Sequence, residues 1–132
     1  MFGGYYKGRR VLVTGHTGFK GAWLSLWLRH LGAEVHGAGL EPPTDPSLHE
    51  VTAPDTFTSE TSCDIRELAA LEAALAATQP EFIFHLAAQP LVRLSYEEPL
   101  ETLMTNVLGT AHVLELVRRL KLNCPVLVIT SD

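Results

Sequence analysis

Apolar and polar positions in this chain fall into alternating strand-like and helix-like blocks. The apolar, β-branched run that follows Arg10 predicts a first strand at about 10–14. A helix follows at about 19–31, apolar almost all round through Ala22, Trp23, Leu24, Leu26, Trp27, Leu28 and Leu31. That pattern suits a helix held against a sheet. Trp23 and Trp27, one turn apart, read as packing residues. Gly32 stops the helix, and Glu34 to Ala38 forms a second strand. The pattern then breaks: Gly39 to Pro54 holds Pro42, Pro43, Pro46 and Pro54 among polar residues and predicts a loop. A short third strand follows at about 56–59, then a helix at about 65–77 capped by Asp64. Phe82 to Leu86 is a fourth strand, and Ala87 to Glu98 a second loop. A long helix starts at Pro99, where a missing N–H costs nothing, and runs to about Leu122. Pro125 to Thr130 is a fifth strand of the buried type.

Strands and helices alternating at these lengths imply right-handed βαβ units and a parallel sheet. The predicted class is α/β, a Rossmann-like doubly wound sheet in the order 3-2-1-4-5 with helices on both faces. Ligands bind such sheets at the carboxyl ends of the strands, beside the crevice between strands 1 and 4. The loops there therefore matter most.

The first of them carries the strongest chemistry. Gly15, Gly18 and Gly21 stand in a G-x-x-G-x-x-G spacing between a strand and a helix. Gly15 permits a tight turn with positive φ, Gly18 lets a pyrophosphate approach the backbone, and Gly21 lets helix and strand pack closely. The helix start adds free N–H groups and a positive dipole end. Gly15, His16, Thr17, Gly18, Phe19, Lys20 and Gly21 are thus candidate dinucleotide-binding residues. His16 reads as turn filler or as a ligand contact. Lys20, a cation where the dipole disfavours one, either neutralises an anion or is a solvated surface lysine. No Lys or Arg occurs from Ala33 to Glu60, and Glu41 lies just past strand 2. A 2′-phosphate would find no cation there, so NAD is favoured over NADP.

Further along, Asp64 and Ile65 offer a helix cap, an adenine contact, or both. His85, inside an apolar strand, reads as a hydrogen-bonded core histidine. Leu86, Ala87, Ala88 and Gln89 supply small residues and exposed backbone where a cofactor can pass. Asn106, with Thr102, Gly109 and Thr110 on neighbouring turns, should be hydrogen-bonded, bracing strand 4 or holding a water.

Composition narrows the setting. With 132 residues, 46% hydrophobic and 19% charged, the chain suits one α/β domain. A net charge of -5 gives no reason to expect nucleic acid or a membrane surface as partner. No apolar run reaches membrane-spanning length, and the start lacks a signal-peptide layout. Cys63 and Cys124 are far apart and read as small hydrophobes in a reducing cytoplasm.

Assembled, Thr14-Gly-His-Thr-Gly-Phe-Lys-Gly21, Asp64-Ile65, His85-Leu-Ala-Ala88, Asn106-Val-Leu-Gly-Thr110 and Thr130-Ser-Asp132 resemble the N-terminal part of an extended short-chain dehydrogenase/reductase. The strings Gly15 to Trp23, Pro46-Ser-Leu48 and Ala87 to Tyr96 resemble the CDP-glucose 4,6-dehydratase subfamily. The resemblance implies bound NAD that takes a hydride from C4 of the sugar, loss of water across C5–C6, and return of the hydride to C6. It implies a hydrogen bond from Ser131 to the C4 oxygen and protonation of the departing 6-hydroxyl by Asp132, an acid kept partly protonated. It also implies a nucleotide-sugar substrate, CDP-glucose, and a homodimer of the full-length form. The family's Tyr-x-x-x-Lys motif is not present, since Tyr96 has Leu100 four residues later. Residues 1–132 are accordingly expected to be an incomplete NAD-binding domain, with later strands and a substrate domain beyond it, and inactive alone. A nucleotide-sugar epimerase or reductase, and a non-catalytic NAD-binding module, are the competing readings.

Overall fold

The computed structural model describes residues 1–130. β-Branched and apolar residues form a central strand, β1 (Arg10–Thr14), followed by α1 (Phe19–His30), β2 (Glu34–Gly39) and α2 (Leu48–Thr52). Then come β3 (Ser59–Ser62), α3 (Leu68–Thr78), β4 (Phe82–His85) and α4 (Val92–Glu97). The chain continues as α5 (Pro99–Leu103), a π turn (Met104–Leu108), α6 (Gly109–Arg119) and β5 (Val126–Val128). All strand pairs are parallel, in the order β3-β2-β1-β4-β5. This is the predicted order.

Alternation within β1 sends side chains to two cores. Val11 and Val13 join Leu28, Ala33, Val35 and Phe84 beneath α1. Leu12 joins Leu71, Leu75, Ile83, Val113 and Leu116 beneath α3 and α6. Helices therefore cover both faces, and β1 is wholly buried after Arg10. Cys63 lies in the second core, where burial pushes its thiol pKa up, and Cys124 packs against it; both are free.

Several boundaries differ from the sequence reading. The third strand lies three residues later, at Ser59–Ser62. Asp64 does not cap α3: the N-cap is Glu67, and Asp64 instead closes a turn in which its carboxylate accepts from the Arg66 N–H. The proline-rich loop contains α2, fixed by a capping box in which Ser47 and Glu50 exchange hydrogen bonds. The second loop contains α4. The long helix is interrupted by the π turn and ends at Arg119, because Lys121 takes a left-handed conformation and the Leu122 N–H closes onto the Val117 carbonyl. Trp23 and Trp27 are half exposed, at 50% and 46%, because the face of α1 against the sheet is formed by Gly21, Ala22, Ser25 and Leu28. Of the two, among the described residues only Trp27 has an aromatic neighbour, Phe2, with ring centroids 5.8 Å apart.

Candidate functional site

The carboxyl ends of β1, β2 and β4 open onto one edge, and the predicted residues gather there. Gly15 has φ +71°, and its N–H donates to the Ala38 carbonyl of β2. A side chain at Gly15 would press on the Ala87 backbone at 2.7 Å, so the turn lies directly against the chain leaving β4. A side chain at Gly21 would overlap the Gly15 carbonyl; only glycine lets α1 start this close to β1. Gly18 differs, since a Cβ there would meet only the Gly15 oxygen, at an ordinary 3.5 Å. Gly18 is also the N-cap of α1 and supplies no side-chain cap, so the first-turn N–H groups remain available to an anion. Thr17 ties the turn to β2 by donating to the Leu40 carbonyl at 2.9 Å. Phe19 and Lys20 are exposed, and Lys20 makes no ion pair among the described residues.

His16 is neither filler nor open to solvent. It is 3% exposed, and its Nε2 lies 2.9 Å from Glu60 Oε1. Burial lowers its pKa from the ordinary histidine value, against the opposing pull of Glu60. It forms part of the wall of a shallow groove of about 160 Å³ with Thr17, Gly39, Leu40, Glu41 and Ser62. No Lys or Arg lines that groove.

On the other side of β1, a hydrogen-bond chain fixes the loop after β4. The Thr14 hydroxyl oxygen accepts from the N–H groups of Leu86 and Ala87, at 3.1 and 3.2 Å. With its lone pairs taken, its proton must go to His85 Nδ1, 2.7 Å away. His85 Nε2–H then donates to the Thr110 hydroxyl at 3.0 Å, and Thr110 donates to the Asn106 carbonyl at 2.7 Å. His85 is therefore the neutral Nε2–H tautomer, and burial lowers its pKa in the same sense. The core reading of His85 is correct.

Asn106 lies in the π turn and grips Gln89 at both backbone groups. Its Oδ1 accepts from the Gln89 N–H at 2.8 Å, and its Nδ2 donates to the Gln89 carbonyl at 3.0 Å. Asn106 thus braces the chain, but at Gln89 in the loop beyond β4 and not at strand 4 itself. Gln89 in turn accepts from the Leu91 N–H, at the start of α4, and donates to Thr102. Leu86 and Ala87 are half-buried and Ala88 is exposed on the same edge.

Asp64 and Ile65 follow β3. The Asp64 carboxylate is held by the Arg66 guanidinium at 2.6 Å, which keeps its pKa below the usual carboxylate range. Arg66 also pairs with Glu101 of α5. Ile65 is buried against Gly109, and its carbonyl accepts from His112 Nδ1 at 2.8 Å. Sequence reasoning missed His49, Glu60 and His112. A Ser-x-x-Glu capping signature at Ser47–Glu50 was available to locate α2 and thereby His49; no spacing signals the other two. Ser131 and Asp132, the predicted substrate-contacting pair, lie outside the described residues.

Comparison with known proteins agrees with this geometry. The chain is 52% identical, over 97% of its length, to CDP-glucose 4,6-dehydratase of Salmonella typhimurium, and covers 36% of that protein. It is 38% identical to UDP-glucose 4-epimerase of Mycolicibacterium smegmatis, over 83% of this chain and 34% of that one. The chain spans about a third of the length of the curated relatives it matches. Among solved structures, UDP-glucose 4-epimerase of Thermus thermophilus in complex with NAD superposes with a TM-score of 0.74 at 28% identity, over 86% of this chain and 35% of that one. These relatives are sugar-nucleotide dehydratases and epimerases. The profile of GDP-mannose 4,6 dehydratase matches residues 12–132. A parallel 3-2-1-4-5 sheet, a glycine turn opening α1 and this match over almost the whole chain together mean that the protein belongs to the GDP-mannose 4,6 dehydratase family.

Proposed function

We propose that residues 1–132 form the NAD-binding part of a sugar-nucleotide 4,6-dehydratase acting on CDP-glucose. The observation that carries the cofactor assignment is Gly18, which leaves room for an anion in front of an uncapped helix start. The residues that would hold the dinucleotide are Gly15 to Gly21 around its phosphates, Asp64 and Ile65 toward its adenine, and Leu86 to Gln89 along its nicotinamide side. NAD, when bound, supplies a hydride acceptor that later returns the hydride. The chain's own part is to keep those segments fixed through the Thr14–His85–Thr110 chain and the Asn106 brace. A groove lined by Glu41 and no Lys or Arg supports NAD over NADP.

Ser131 and Asp132 carry the proposed substrate roles, a hydrogen bond to the sugar C4 oxygen and protonation of the departing 6-hydroxyl. That pair favours dehydration over epimerisation, because an epimerase has no leaving hydroxyl to protonate. The 52% identical relative supports CDP-glucose as the substrate. The free cysteines support a reducing, cytoplasmic setting, and no described helix is long and apolar enough to cross a membrane.

Titration of the chain with NAD and NADP, read by calorimetry, tests the cofactor. NAD binds and NADP binds at least tenfold more weakly. Gly18→Ala keeps its unfolding temperature within a few degrees yet loses NAD binding. Equal affinity for both dinucleotides, or an undiminished affinity in Gly18→Ala, contradicts the assignment. The sequence encoded directly after Asp132 tests the dehydratase reading, which requires a Tyr-x-x-x-Lys motif there.

A further inference from the structure

Three side chains from three separate elements meet beside the glycine turn. His16 follows β1, His49 stands on α2 and Glu60 stands on β3. One nitrogen from each imidazole and one carboxylate oxygen lie within 4.8 Å of one another. Both Nε2 atoms converge on the same oxygen, Glu60 Oε1, at 2.9 and 2.5 Å. Both Nδ1 atoms are buried and have no hydrogen-bond partner. Two imidazoles thus spend their only partnered nitrogen on a single carboxylate oxygen, one of them at 3% exposure. We propose that His16, His49 and Glu60 form a binding site for a zinc-type divalent metal ion.

The donor set selects the metal. Two imidazole nitrogens and one carboxylate oxygen suit zinc or a neighbouring transition metal, whereas calcium and magnesium prefer all-oxygen sets. Zinc bonds of about 2.0–2.2 Å in a tetrahedron separate donors by roughly 3.3 Å. Both contacts to the Glu60 oxygen, at 2.9 and 2.5 Å, are shorter than that, so the carboxylate must retreat by roughly 0.4–0.8 Å to admit an ion, and Glu60, 37% exposed at its side chain, is free to withdraw. The surroundings are organised as well. The Phe57 ring lies edge-on to His16 with centroids 5.1 Å apart and tilted against His49 at 5.7 Å, which shields one side of the cluster from water. The room for His16 comes from Gly37, since any side chain there would run into the imidazole. Three protein ligands leave a fourth position for water. Bound metal would tie α2, a five-residue helix in a proline-rich loop, to the sheet and to the turn that carries His16.

The site shares His16 and its groove with the proposed dinucleotide contact, and it is therefore tested without nucleotide. The chain, freed of any histidine tag and stripped with chelator, is titrated with Co²⁺ and Zn²⁺. Co²⁺ produces visible d–d bands of a low-symmetry nitrogen–oxygen site, Zn²⁺ displaces it, and Zn²⁺ raises the unfolding temperature. His49→Ala and Glu60→Gln each weaken Zn²⁺ binding by about tenfold or more while keeping the native circular dichroism spectrum. Should one of the two fail to fold, the other decides. Absence of the bands, bands undiminished in the folded variant, or a thiolate charge-transfer band assigning the metal to Cys63 or Cys124 overturns the proposal.

Discussion

Thr14 is one residue with four hydrogen-bonding obligations through its hydroxyl and carbonyl. Its hydroxyl takes two backbone N–H groups and gives its proton to His85. Thr14→Val keeps the shape but leaves the Ala87 N–H and His85 Nδ1 without this partner. Each buried group so orphaned costs about 1–3 kcal/mol, so urea unfolding should show a loss of roughly 2–6 kcal/mol. Asn106→Ala removes both bonds to Gln89 and should cost about 1–3 kcal/mol by the same measurement. The buried histidines make stability depend on pH. Burial lowers the pKa of His16, His36 and His85 in the folded chain, so the unfolded chain takes up protons first as pH falls below about 6.5. Their neutral burial is fully tolerated above that pH. Stability then declines as pH falls toward the lowered folded values, and urea midpoints at about pH 7.5, 6.5 and 5.5 should fall in that order. At this scale the sequence was informative wherever a residue's job is local. Gly15 and Gly21 declare theirs through spacing, and His85 through its apolar surroundings. His16 did not, because its partners lie 33 and 44 residues away and nothing in the turn points to them.

Elements were legible where hydrophobic periodicity ran long and were missed where it was short. β1, α1, β2 and β4 lie within one or two residues of their predicted bounds. α2 and α4 are five and six residues long, too short for a period to register, and both sit among prolines or polar residues. The π turn has no signature in residue type; Asn106 within it holds Gln89 by a tertiary contact that local periodicity does not encode. That interrupted helix also presents a surface. Leu100, Leu103, Met104, Val107 and Leu108 are exposed, while Val113 and Leu116 are buried. An apolar stripe of this kind favours self-association. Sedimentation should show a concentration-dependent increase in mass, and Leu103→Glu with Val107→Glu should abolish it without lowering the unfolding temperature by more than a few degrees. Concentration-independent monomers would contradict this.

For the whole molecule, the sheet order and the two-faced layering followed from the alternation of strands and helices. The site edge followed from the order, because a reversal between strands 1 and 4 leaves a crevice there. What the chain can do alone is a separate matter. It contains no Tyr-x-x-x-Lys, and it is expected to bind NAD yet leave CDP-glucose unchanged. Measurable formation of the 4-keto-6-deoxy sugar nucleotide by the 132-residue polypeptide would refute that.

The central place of β1 has a consequence for how the molecule comes to exist. β1 precedes the strands it pairs with, and one of its two neighbours, β4, follows much later: Thr14 and His85 are 71 residues apart. Val11, Leu12 and Val13 have an unpaired side until Phe82, Ile83 and Phe84 have been made. Contacts of such long sequence separation slow folding. A nascent chain stalled on the ribosome before Phe82 emerges should remain protease-sensitive throughout β1 and α1, and protection should arrive in one step once β4 clears the tunnel.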